Sequence, residues 1–115
     1  MFDKNYQGAA GPLLVLALLA QEDLYGYEII RRLEQRSEQA FRYQEGTLYP
    51  VLHRLEKEGA VKSYEKAAPS GRVRKYYALT PKGRRQLAAE TAQFSAFHEA
   101  VGKVLKGNLT APAEG

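Results

Sequence analysis

At 115 residues the chain is long enough for one domain and short for two. Hydrophobic residues make up 44% and charged residues 26%, an ordinary globular balance, and a core of this size is thin enough to gain from a second copy. The absence of Cys excludes disulfides, thiolate metal sites and cysteine nucleophiles and fits a reducing cytoplasm, while 17 Lys and Arg against 13 Asp and Glu leave a net charge of +4.

The apolar run 9–20 is too short for a membrane span, which needs about 20 residues, and Gln21-Glu22-Asp23 closes it. Its flank is too weakly basic for a signal peptide. Apolar all round, it reads as a core helix with Pro12 in a permitted first turn. In the segment from Leu24, residues Gly26, Ile29, Ile30 and Leu33 recur at helical spacing, which predicts an amphipathic helix from Leu24 to about Arg36. A polar loop, 37–45, follows. Leu48, Val51, Leu52 and Leu55 then form the stripe of a third helix over 47–58, ended by Gly59 and started no earlier than Pro50 allows, near Thr47.

The period then changes. Residues 61–66 and 73–79 alternate as two strands around an irregular turn at 67–71. Thr80 reads as an N-cap and Pro81 as the first residue of a long helix to about Leu105, with 107–115 as a frayed tail. The expected class is mostly α with a small β-hairpin (α+β), divided as 1–80, 81–106 and 107–115.

Charge is uneven. From Lys62 to Arg85 eight basic residues face only Glu65, a net of +7, and the rest of the chain carries −3. A polyanion is the natural partner of such a segment, although a solvated hairpin would have the same composition. On the third helix, the side opposite the apolar stripe shows Gly46, Thr47, Tyr49, Pro50, His53 and Lys57, with no acid among them. Small residues, hydroxyls and an imidazole suit close approach to base edges in a major groove, with the second helix crossing behind and the hairpin reaching the adjacent backbone. An amphipathic helix with an idle outer face is the plainer alternative.

The motifs Leu-Tyr-Gly-Tyr-Glu-Ile at 24–29, Gly-Thr-Leu-Tyr-Pro-Val-Leu-His-Arg-Leu-Glu at 46–56 and Arg-Lys-Tyr-Tyr-Ala-Leu-Thr-Pro-Lys-Gly at 74–83 resemble the PadR family of bacterial transcriptional regulators. Gly46-Thr-Leu-Tyr-Pro50 is the most specific of them; Leu-Thr-Pro-Lys-Gly is widespread among winged-helix regulators. The resemblance implies a winged helix-turn-helix that binds pseudo-palindromic double-stranded DNA as a homodimer, usually as a repressor. It places Thr47, Tyr49 and Pro50 on the recognition helix, and Lys75 and Tyr76 in the wing. The chain departs from the family at Tyr25, where His is frequent, and at Gln44-Glu45, where Ser-Pro often precedes the Gly-Thr. It matches the short members, with one helix after the wing.

The DNA-contacting set is therefore Gly46, Thr47, Tyr49, Pro50 and His53 for bases and sugar, with Arg72, Arg74, Lys75 and Tyr76 for phosphates. On the last helix Leu87, Phe94 and Val101, with Phe97 and Val104 three further on, form a heptad seam broken at Glu90, the expected dimer interface. Phe94, Phe97 and His98, with Phe2 and Tyr6, are candidate lining for a small hydrophobic or aromatic effector. The two histidines, His53 and His98, lack partners at metal-ligand spacing, and no nucleophile constellation or phosphate-cradling loop is present, so no enzyme activity, metal or cofactor is expected. The alternative function is a winged-helix module whose basic face binds an acidic protein.

Overall fold

A computed structural model describes the backbone of residues 4–110 and the side chains of residues 7–106. In chain order the elements are α1 (Lys4–Leu19), β1 (Leu24–Tyr25), α2 (Gly26–Arg36), α3 (Glu45–Lys57), β2 (Val61–Ala67), β3 (Val73–Leu79) and α4 (Pro81–Thr110). The strands form one antiparallel sheet in the order β1-β3-β2. Helices α1, α2 and α3 pack around Val15, Leu16, Ile29, Leu48, Leu52 and Leu55, each fully buried, and Leu24, Val61 and Tyr77 close that core from one face of the sheet.

Apart from shifts of one residue at the ends of α1, α3 and β2, four element boundaries differ from the sequence-based expectation. Leu24 and Tyr25 are strand, not helix: they pair with Tyr77 and Tyr76 of β3, turning the expected hairpin into three strands. That pairing covers an edge of β3 that would otherwise present unpaired backbone groups. Helix α1 begins at Lys4, so Pro12 lies inside it, and α3 begins at Glu45, so Pro50 lies in its second turn. An internal proline removes one helical hydrogen bond from the carbonyl four residues back. Here those carbonyls belong to Gly8 and Gly46, both exposed, so solvent can take the place of the lost donor. Finally, α4 continues to Thr110, so the first residues of the expected tail are helical. Gly107 only weakens a helix, by roughly 1 kcal/mol relative to Ala, and the next residue with a backbone veto is Pro112. The remainder of that tail, 111–115, lies outside the described residues.

The joint between helices and sheet is compact. At the end of α3, Gly59 adopts φ +81°, its N–H donates to the Glu56 carbonyl and the Ala60 N–H donates to the Leu55 carbonyl, the paired bonds of a Schellman cap. The Ala60 carbonyl then accepts the Thr80 N–H (3.0 Å), while the Thr80 hydroxyl donates to the Gly59 carbonyl at 2.6 Å, with the Ala60 carbonyl also within 3.0 Å of it. Thr80 Oγ1 in turn accepts the Gly83 N–H at 3.0 Å, so Thr80 caps α4 as expected. The first turn of α4 lies so close to this joint that a Cβ on Gly83 would fall 2.0 Å from the Ala60 carbonyl oxygen.

Backbone oxygen cannot swing away as a side chain can. Gly83→Ala should therefore destabilise the fold by about 1–3 kcal/mol and lower Tm by on the order of 10 °C in a thermal melt. A melt unchanged by the substitution would show that α4 does not depend on this contact.

Candidate nucleic-acid interface

The rotation of α3 is fixed by Leu48, Leu52 and Leu55, which have no solvent exposure. Gly46, Thr47, Tyr49, Pro50 and His53 consequently all lie on its exposed side, with Glu45, Tyr49 and His53 in one i, i+4 row. A Cβ built on Gly46 would meet no heavy atom within 4 Å, so nothing inside the chain requires glycine there. Gly26 is different: a Cβ on it would lie 2.5 Å from the Tyr49 hydroxyl oxygen, so the Tyr49 ring rests against the first turn of α2 and is only partly free.

Between α3, the start of α2 and the sheet runs a groove of about 420 Å³. Tyr49 and Glu45 line one side of it, Tyr27 the floor near α2, and Arg72, Arg74 and Lys75 the wing side. Of the expected phosphate contacts, these three cations reach the groove and Tyr76 does not. Arg74 and Tyr76 share the outer face of β3, whereas Lys75 projects to the face of Tyr77, its Nζ 5.7 Å from that ring. Tyr76 is half-buried in a row of rings with Tyr25 and Tyr64.

The basic segment also divides in space. Register places Lys62 opposite Ala78 at the base of the sheet and Lys66 opposite Arg74 near its tip. Lys82, Arg84 and Arg85 lie on the first turns of α4, and Lys82 sits beside Gly59 at the far end of α3 from the groove. The wing alone therefore faces the N-terminal half of α3.

Two tyrosines escaped the sequence reading. Tyr27 is exposed on the first turn of α2, opposite Ile29 and Leu33, and helical periodicity alone would have placed it outside. Tyr64 donates a hydrogen bond to Asp23 Oδ2 at 2.6 Å, across 41 residues of sequence that no local pattern connects.

A model of the transcriptional regulator PadR-like family matches residues 15–89. The chain belongs to the PadR-like family of transcriptional regulators. Transcriptional regulator Rv3488 of Mycobacterium tuberculosis is 38% identical over 104 residues, covering 90% of this chain and 91% of that protein. Among solved structures, a PadR-like transcriptional regulator from Bacillus cereus superposes with a TM-score of 0.79 at 30% identity, over 90% of this chain and 99% of that one. A PadR family regulator from Eggerthella lenta gives 0.76 at 33% identity, over 88% and 86%. These likenesses extend beyond the segment the family model matches, into the flanking helices. In PadR terms α2 and α3 are the helix-turn-helix, with β2 and β3 the wing; regulators of this family bind DNA and often act as dimers. Among the described residues no helix is long and apolar enough to cross a membrane.

The hydrogen bond to Asp23, with smaller contributions from desolvation and the carboxylate charge, pushes the Tyr64 pKa up to about 12. An unfolded tyrosine ionises near about 10, so between those values the folded chain holds a proton that the unfolded chain has lost. The stabilisation is complete below about pH 10 and disappears as pH rises toward about 12. Tyr64→Phe should make the alkaline fall in stability shallower across that window in denaturant titrations; an identical pH dependence would mean that the bond to Asp23 does not form in solution.

Proposed function

We propose that this PadR-family protein represses transcription by binding a pseudo-palindromic operator as a homodimer, with α3 in the major groove and the wing on the flanking backbone. The observation that carries this reading is the outer side of α3. Gly46, Thr47, Tyr49, Pro50 and His53 are all exposed while the opposite leucines are sealed; of the acids on that side, Glu45 stands at the first turn, where a carboxylate is favoured by the helix dipole, and Glu56, two turns beyond Tyr49, accepts the Ser63 hydroxyl at 2.7 Å. Arg72, Arg74 and Lys75 border the same groove and supply phosphate contacts, whose counterion release dominates affinity. Tyr76, set back among rings, supports them from within the wing.

The homodimer reading rests on α4. Beyond Leu87, which packs on the core, Phe94, Phe97, Val101 and Val104 are exposed, Phe97 at 69% and Val104 at 83%. Leu105, outside the expected seam, adds to the same stripe at 40%. A contiguous apolar stripe of this kind marks an association surface, and a two-fold dimer through it sets two recognition helices roughly 34 Å apart. Phe94 and His98 stack with centroids 6.0 Å apart, and a small aromatic effector would bind there, against the dimer seam. Phe2 and Tyr6, the other candidate lining, lie outside the described side chains.

Selection of duplexes from a random pool, followed by a salt titration, tests the DNA reading. The expected result is enrichment of an inverted repeat and a log–log slope reporting several released counterions; absence of any preferred duplex would favour an acidic protein partner instead. Gly46→Ala should leave the melting temperature unchanged or raise it, because the added methyl meets nothing in the chain, while weakening the selected duplex by about tenfold. Unaltered binding would place α3 farther from the bases. Phe97→Asp should give monomers by sedimentation with much weaker operator binding, and a persisting dimer would move the interface off this stripe.

A further inference from the structure

Three tyrosines, one from each strand, stand on a single rung of the outer sheet face. Tyr76 is opposite Tyr25 on one side and Tyr64 on the other. The Tyr64 ring stacks on Tyr76 at 5.8 Å and 16°, and Tyr25 meets Tyr76 edge-on at 5.4 Å and 75°. One rung nearer the wing tip, the Arg74 guanidinium carbon lies 4.3 Å from the centre of the Tyr25 ring. Asp23, which accepts the Tyr64 hydroxyl, immediately precedes β1, at the opposite edge of the sheet from β2. The Tyr64 side chain therefore crosses β3 and ties the two edge strands together.

Arg74 is held in an unusual way. Its Nε is buried with no hydrogen-bond partner, and no ion pair engages its guanidinium among the described residues. Stacking on Tyr25 is what orients it. A guanidinium oriented by a ring face keeps its terminal donors free for an external anion, which one tied to a carboxylate would not. The ring that holds it is itself set by the tyrosine row, and the row is fastened at its far end by Asp23.

We propose that Asp23 and Tyr64 are positioning residues for DNA binding, which act through Tyr76 and Tyr25 to hold the Arg74 guanidinium at the groove without touching DNA themselves. This rests on the assignment of Arg74 to a phosphate made above. It predicts that a hydrogen bond on the outer sheet face, remote from α3, tunes how many phosphates the wing neutralises.

The test uses the full chain, a random-sequence duplex as probe, and fluorescence anisotropy over a series of salt concentrations. Arg74→Ala should weaken binding by roughly three- to tenfold and reduce the log–log salt slope by about 0.9, the value for one phosphate contact. Tyr64→Phe, which keeps the ring and removes the donor, should reproduce part of both changes. Asp23→Asn retains an acceptor and Asp23→Ala does not, while both remove the same charge; the Asn variant should bind more tightly than the Ala variant. Tyr64→Phe should cost nothing further in a chain that already carries Arg74→Ala, whereas a merely structural contribution to the wing would persist there. If Arg74→Ala binds like the unaltered chain, or the unaltered chain binds no duplex, the phosphate assignment and the positioning role fall together. If Arg74→Ala weakens binding but the Tyr64 and Asp23 variants do not, or their losses add to that of Arg74→Ala, the phosphate assignment stands and the positioning role is overturned. The Asp23 pair decides the matter even if Tyr64→Phe folds poorly.

Discussion

Leu48, Leu52 and Leu55 have no contact with water, and most of what this protein shows to the outside follows from that constraint. Three fully buried leucines on one stripe leave α3 a single rotation about its axis, because turning it would expose apolar surface worth about 1.5–3 kcal/mol per side chain. Apart from Val51, which packs against the core beside them, the residues on the far side of the helix must then point outward, whatever their chemistry. Gly46, Pro50 and His53 are exposed because the leucines are not. An outer side fixed in this way takes its direction from the buried stripe and not from hydrogen bonds among its own side chains.

The second constraint is the joint at Ala60. Thr80 gives its backbone N–H to the Ala60 carbonyl and its hydroxyl to that of Gly59, while Gly83 closes on the Ala60 carbonyl to a distance only a glycine permits. The end of α3, the base of the sheet and the start of α4 thus meet at a single point, with Thr80 capping the helix that leaves it. Because α4 carries the exposed apolar stripe, the contact that joins α4 to the base of the sheet also fixes where that stripe lies relative to the wing and α3.

Helix periodicity was enough to place the leucine stripe and the exposed side of α3, and the Thr80-Pro81 pair the cap of α4, since each depends on residues within one or two turns of each other. What escaped depends on partners far along the chain. Leu24-Tyr25 is too short to show a strand period, and its pairing partners lie at 76 and 77. The hydrogen bond from Tyr64 to Asp23 has no local signature at all. Proline misled in a more instructive way. Pro12 and Pro50 argued for late helix starts, yet each follows an exposed glycine by four residues, and water can satisfy the carbonyl that proline abandons. The charge reading was right in total and coarse in space: strand register, which the charge count does not contain, separates Lys62 from Lys66 and Arg74.

The wing raises a problem that the helical core cannot solve. Its outer half, from Glu65 through Val73, projects beyond the core and is almost wholly exposed, and a two-stranded ribbon alone is marginally stable in water. Holding its cations by salt bridges would order them but occupy their hydrogen-bond donors. Leaving them loose would add side-chain entropy to the cost of binding. Ring faces resolve the conflict, because a cation stacked on a tyrosine loses freedom without losing hydrogen-bonding capacity. Lys66 on Tyr76, Arg74 on Tyr25 and Lys75 on Tyr77 all follow this pattern, each cation taking the ring of the same wing or of the strand beside it. Tyrosine in and around this sheet, in a chain without Trp, thus supplies ring faces for the wing's cations as well as buried surface.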